Sequence, residues 1–243
     1  TNPSKLFTEA KGVEINKISG AHPAGNVGVQ MHHIDPINKG EVVWYLESQD
    51  VIAIARLFTE GKYDVSRIIA LGGAQVAKPR YYRTISGASI ANLLVDNLKE
   101  GDNRVISGDI LSGQQIDENG TLGFYHTTVT VIEEGKEQEF LGWILPGTHK
   151  FSASKTFLSW LTPSKKYALN ANMHGEERAY VMTGEYEKVL PMDIYPTQLI
   201  KACMFEDIEL MENLGIYEVS PEDLALCEFV CTSKIEVQSI IRH

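Results

Sequence analysis

The chain is short of cysteine, of long apolar runs and of positive charge, and each shortage removes a class of function. Three cysteines in 243 residues are too few for a disulfide framework, and the odd count suits a reducing compartment. No apolar stretch approaches the 18 or so residues of a membrane-spanning helix, and no segment reads as a signal peptide. Lys and Arg number 22 against 32 Asp and Glu, a formal net charge of -10. That balance disfavours nucleic acid, whose phosphates call for a basic stripe. It also disfavours adhesion to an anionic membrane surface, but not docking on an integral membrane partner. Three fingerprints are missing as well: G-x-G-x-x-G for dinucleotides, G-K-[ST] for a phosphate loop, and G-x-S-x-G for a nucleophilic serine.

What is present suits one to three compact domains, with 43% hydrophobic and 22% charged residues. Thr1-Asn2-Pro3-Ser4 has no initiator methionine, and Ile235 to His243 stops within an apolar, helix-like pattern. Both ends therefore read as cut from a longer protein.

The fold expected is α+β in three parts: the tail of a Rossmann-like α/β layer over residues 1–66, a β-grasp module over 67–150, and a mixed, helical region over 151–243. In the first part, Gly12 to Ile18 and Glu41 to Leu46 alternate as strands. His32 and His33 fall in a probable strand, one packed and one solvated. A helix opens at Gln49-Asp50, runs through Val51, Ile54, Ala55, Leu57 and Phe58, and stops at Gly61. In the second part, Arg67–Leu71, Tyr81–Ile85, Arg104–Gly108 and Gly123–Ile132 read as strands around a helix over Ser89–Leu98. Glu133 to Lys136 turns toward a partner strand over Glu139–Leu145, a hairpin. Helices follow at Pro196–Cys203, Glu206–Leu214 and Pro221–Val230, the last entered through Ser220.

Few motifs carry chemistry. The loop from Gly20 through His22, Pro23 and Gly25 to Gly28 follows a strand, where α/β folds place ligand loops. A plain turn competes with that reading, and the loop offers no dinucleotide spacing. Leu71-Gly72-Gly73 reads as a strand-end turn. No metal-ligand spacing surrounds His126, His149 or His174, so no metal site and no catalytic residue is assigned. Glu133, Glu134, Glu137 and Glu139 read as a solvated rim. Met182, Met192, Met204 and Met211, with Tyr180, Tyr186 and Tyr195, form either core or a partner surface.

The C-terminal third keeps the rhythm of a double iron–sulfur motif, C-x2-C-x2-C-x3-C-P, without most of its cysteines. One set of positions is Tyr180, Thr183, Tyr186 and Leu190, before Pro191. The other is Pro221, Leu224, Cys227 and Cys231, and the four-residue step from Cys227 to Cys231 suits paired core thiols on one helix face. Two thiols among eight positions cannot hold a cubane cluster.

The segments Leu190–Leu199 and Cys227–Ile235 resemble the cluster-bearing region of RnfC-type subunits. Further segments resemble the NqrA family, the A subunits of Na+-translocating NADH:quinone oxidoreductases, more closely. They are His22-Pro23-Ala24-Gly25, Asp50–Ile54, Ile69–Gly73, Asp102–Gly108, Phe140-Leu141-Gly142-Trp143 and Asp223–Cys227, which span nearly the whole chain in order. The resemblance implies a fold shared with the NADH-binding subunit of respiratory complex I, including an SLBB-type grasp domain. It implies a peripheral protein on the cytoplasmic face of the bacterial inner membrane, partnered by the other subunits of the Na+-pumping complex, integral ones included. NADH and ubiquinone would be substrates of that complex, with flavins and the iron–sulfur centre on other subunits and no cofactor here. If quinone touches this chain, the His22, Pro23, Gly25 and Gly28 loop is the expected place. Two other readings stay open: a stand-alone dinucleotide-dependent oxidoreductase, and a pure protein-interaction module.

Overall fold

In the computed structural model the described residues are 5–136, 140–142, 147–153, 155–162 and 164–243. They form two compact units. One gathers Thr1–Val43, Met182–Glu228 and Glu236–His243; the other holds Trp44–Val181 and Phe229–Ile235.

The second unit is built on a five-stranded sheet. Strand β1 (Ser66–Gly72) turns into β2 (Arg80–Ile85), pairing antiparallel from Ser66 with Ile85 to Leu71 with Arg80. A single helical turn, α4 (Ala91–Leu94), precedes β3 (Asn103–Ser107) and β4 (Gln114–Ile116). Strand β5 (Thr128–Glu133) then inserts between the two pairs, parallel to β1 and antiparallel to β3, giving the order β2-β1-β5-β3-β4. The β-branched run of β5 suits its central place, paired on both edges with Val129, Val131 and Ile132 buried. Val129 and Val131 are fully buried, packed with Ile69 and Leu71 of β1, Val105 of β3, and Ile90 and Leu94 of the α4 turn. The sheet, with its central parallel pair, packs against the α4 turn through Leu94. The helix is shorter than the Ser89–Leu98 span expected: Asn97 curls its side-chain amide onto the carbonyls of Leu93 and Val95 and ends it early.

Helix α3 (Ser48–Glu60) runs as expected and ends on Gly61, whose left-handed backbone (φ 65°) any Cβ would strain. The hairpin partner expected at Glu139–Leu145 lies mostly outside the described residues, as do Glu137 and Glu139; Phe140 to Gly142 form a turn. Glu134 is no free rim residue, because it takes both Nε and Nη2 of Arg104, at 2.9 and 2.5 Å. That guanidinium holds its carboxyl below the usual range.

The regular elements of the first unit, among the described residues, are helical. After a single turn, α1 (Lys5–Thr8), come α2 (Val27–Ile34), α5 (Pro196–Met204), α6 (Ile208–Asn213), α7 (Ala225–Val230) and α8 (Val237–Arg242); all but the last two residues of α7 belong to this unit. Its core includes Leu199, Ile200, Leu224, Cys227 and Val237. Three expectations are corrected here. Gly12–Ile18 and Glu41–Leu46 are not strands; an alternating pattern holds a strand only beside a partner. His32 and His33 lie in α2, not in a strand. Finally, α7 stops at Val230, so Cys231 is beyond the helix, and the two thiols are buried in different units.

Candidate functional site

Two places merit the name of site, one in each unit. The first is the loop His22 to Gly28 with α2 behind it. The peptide between His22 and Pro23 is cis; His22 and Gly25 are exposed while Pro23 is buried. The loop is fastened to the 3-10 turn Pro221–Leu224, where the Asn26 side-chain amide donates to the Glu222 carbonyl at 3.0 Å. Gly28, in the first turn of α2, faces the buried Asp223, and any Cβ there would collide with the Asp223 carboxylate. That carboxylate accepts the Ser220 N–H (3.1 Å) and hydroxyl (2.6 Å), closing a capping box. The Ser-x-x-Asp spacing at Ser220 was the available signal for this contact.

Because an acidic side chain already fills the first turn of α2, a pyrophosphate there would meet both an obstruction and like charge. The histidines behind the loop do structural work too. Asp193 N–H donates to His32 Nε2 at 2.9 Å, which leaves Nδ1 to carry the proton and donate to Glu218 at 2.6 Å. His33 Nε2 donates to the Pro191 carbonyl at 2.8 Å. Adjacent positions on a helix are about 100° apart, so both rings reach neighbouring parts of one loop. A strand would have sent them to opposite sides.

The second place is a small cleft of about 20 Å³, partly open to solvent, at one end of the β1–β2 hairpin. Arg67, the loop Ser86 to Ser89, Phe124 and His126 line it. The Arg67 guanidinium is tied to Asp50 at 2.5 Å and lies 5.7 Å from the centre of the Phe124 ring. Ser107 Oγ accepts the Gly123 N–H at 2.9 Å and meets His126 Nδ1 at 2.7 Å. Ser107 is buried, so this pair braces the loop after β4 and presents no reachable nucleophile. The charge of Arg67 is already matched, and a space of that size suits a water more than a small molecule. Sequence reasoning missed it because its residues come from three separated segments.

Of the eight positions at cluster-motif spacing, Tyr186, Leu190, Leu224 and Cys227 are buried in the first unit, and Cys227 Sγ lies 3.9 Å from the Tyr186 carbonyl. Apolar packing occupies these positions. Burial pushes the Cys203 thiol up, away from the reactive thiolate. Burial also pushes the Glu228 carboxyl up, although it accepts the Gln238 N–H at 2.9 Å. Among the described residues, no group of three or more His, Cys, Asp or Glu side chains is placed to hold a metal ion, and no helix is long and apolar enough to cross a membrane.

Residues 2–63 match the family domain described as the NqrA second alpha/beta domain, and residues 68–118 match the NQRA C-terminal domain, of SLBB type. The A subunit of the Na(+)-translocating NADH-quinone reductase from Yersinia pestis bv. Antiqua (strain Angola) is 45% identical over 231 residues, which is 95% of this chain and 52% of that protein. Its counterparts in Hahella chejuensis and Cellvibrio japonicus are 44% identical over 227 and 236 residues, covering 93% and 97% of the chain and 51% and 53% of themselves. The chain belongs to the NqrA family. It spans about half the length of the curated relatives it matches. As an NqrA-family chain it combines α/β and SLBB-type regions, the latter carrying most of the five-stranded sheet.

Proposed function

We propose that this chain is part of a peripheral subunit of a membrane complex that passes electrons from NADH to ubiquinone and couples their flow to Na+ export. One observation carries the reading: 44–45% identity to NqrA proteins over 93–97% of the chain, far beyond what a shared fold alone would leave. The role assigned is docking, associated with quinone reduction, and catalysis belongs to the assembled complex. The isolated chain is inactive by itself. Integral subunits are its partners, on the cytoplasmic face of the inner membrane. Flavins and the iron–sulfur centre sit on other subunits, and NADH and ubiquinone are substrates of the complex.

The C-terminal region, on this reading, descends from a ferredoxin-like cluster domain that kept its packing and lost its ligands. The burial of Tyr186, Leu190, Leu224 and Cys227 supports it, as does the presence of only two thiols at eight positions. The division at residues 66 and 150 is proposed from the sequence pattern, and the first boundary falls between the family regions 2–63 and 68–118. His22, Pro23, Gly25 and Gly28 are proposed as a ligand or partner loop, supported by the exposure of His22 and Gly25 on a turn that Asn26 anchors.

Affinity capture of the intact, tagged protein from detergent-solubilised membranes tests the reading. Mass spectrometry should find the integral subunits of the Na+ pump; recovery of soluble proteins alone would overturn it. Stoichiometric iron after anaerobic reconstitution would overturn the loss of the cluster while leaving the docking role intact.

A further inference from the structure

Helix α3 carries its apolar stripe on the side its own unit leaves bare. Its most covered residues are Gln49, Asp50 and Ala53, which share one face. The Gln49 side-chain amide accepts the Ile68 N–H at 2.8 Å and donates to the Ile68 carbonyl at 2.9 Å, while Asp50 holds Arg67. Val51 and Phe58, seven apart and so on one line, point away from that face, with Ile54 at its edge, and all three are exposed, Phe58 to 84%. Ile52 and Leu57 are exposed too, Leu57 one turn on from Ala53, and no residue of α3 is buried. A globular helix normally turns its large apolar side chains toward a core; here Gln49 and Asp50 are fastened and the large apolar side chains stay exposed. Immediately before it, Trp44, Tyr45 and Leu46 are patterned as a strand but belong to none of the strands among the described residues. All three are exposed, Trp44 to 88%.

An uncovered, strand-patterned segment followed by an uncovered amphipathic helix is one layer of an α/β structure without its sheet. We propose that this stripe docks on a β-sheet in the part of the same polypeptide that this chain does not span. Two findings point to that occupant. The chain covers only 51–53% of its relatives' length, and the family region containing α3 is described as a second alpha/beta domain, so further α/β structure belongs to the family's polypeptide. A second copy of the chain fits less well, because pairing two α3 helices would leave Trp44 and Leu46 as exposed as before. The inference concerns packing within one polypeptide, independent of the electron-transfer reading.

The test compares the intact protein with this 243-residue chain, using amide hydrogen exchange and thermal unfolding of wild type and Phe58→Glu. The α3 amides should be protected in the intact protein and exchange quickly in the chain alone. Phe58→Glu should lower the Tm of the intact protein by several degrees and leave that of the chain unchanged. Equal exchange of α3 in the two proteins would overturn the proposal, as would a neutral Phe58→Glu in the intact protein. Should the variant fail to accumulate, the wild-type exchange comparison still decides. A concentration-dependent dimer of the chain that Phe58→Glu dissolves would make a second copy the occupant and would also overturn it.

Discussion

Helices α2 and α3 fall within one family region, residues 2–63, and meet opposite fates. Helix α2 is short, and its apolar and polar positions are only weakly segregated, yet it is seated on every side that matters. Val29 is buried, Gly28 abuts Asp223, and His32 and His33 bond to Glu218, Asp193 and Pro191. Helix α3 is longer and much more sharply two-sided, yet none of its residues is buried. Amphipathic strength therefore says that a face will be covered and nothing about where the cover comes from. What seats α2 is a matched set of partners: a missing side chain, a buried carboxylate opposite it, and two ring nitrogens in reach of a loop.

The contrast can be broken by substitution. Gly28→Ala should have the largest effect, costing about 1–3 kcal/mol or somewhat more as the new methyl displaces Asp223. Paired with Asp223→Ala it should cost less than the two singles summed, a coupling that denaturant unfolding of all four proteins would reveal. Additive losses would mean that the Gly28–Asp223 contact carries no weight. His32→Ala comes next, at about 1 kcal/mol for each hydrogen bond lost to Glu218 and Asp193. On α3, by contrast, Ile54→Ala should change the stability of this chain by no more than about 0.5 kcal/mol; a loss of core size would show that α3 is already packed.

The smallest effect depends on pH. Burial raises the Glu228 carboxyl above its ordinary value of 4.5, so the fold favours its protonated form. That favourable contribution is complete below the ordinary value and is lost as pH rises through the raised one. Glu228→Gln, which keeps an acceptor for the Gln238 N–H, should therefore match wild type near pH 4 and melt slightly higher at pH 7 to 8. Thermal scans across that range check it, and a gain confined to acid would contradict the sign.

Legibility in the sequence follows the same divide. The sheet is readable because Val129, Val131, Ile69 and Leu71 carry their own partners within about sixty residues, and period-2 patterning suffices. Helix ends at Gly61, Gly215 and Ser220 are readable because caps are local chemistry. The segments Gly12–Ile18 and Glu41–Leu46 mislead as strands because their pattern is satisfied only by a neighbour, and neighbours are not written locally. The histidine pair misleads for a related reason: Val27 to Ile34 has a β-branched start and no N-cap side-chain bond, and what stabilises it is the distant loop at Pro191–Asp193. Of the candidate loop, the position can be read, while its anchorage through Asn26 and Gly28 depends on residues far along the chain.

That anchorage has a consequence for biosynthesis. Asn26 and its partner Glu222 are separated by 196 positions, and a ribosome adding 5–20 residues per second needs roughly 10–40 s to cover that distance. Throughout that interval helix α2 exists as nascent chain with its seat not yet made, while the β1–β2 hairpin and then β5 emerge and can close their sheet. The first unit is thus assembled last, by a segment that has waited longest, and the Val and Met positions of α2, bare until then, are what a chaperone would meet in the meantime.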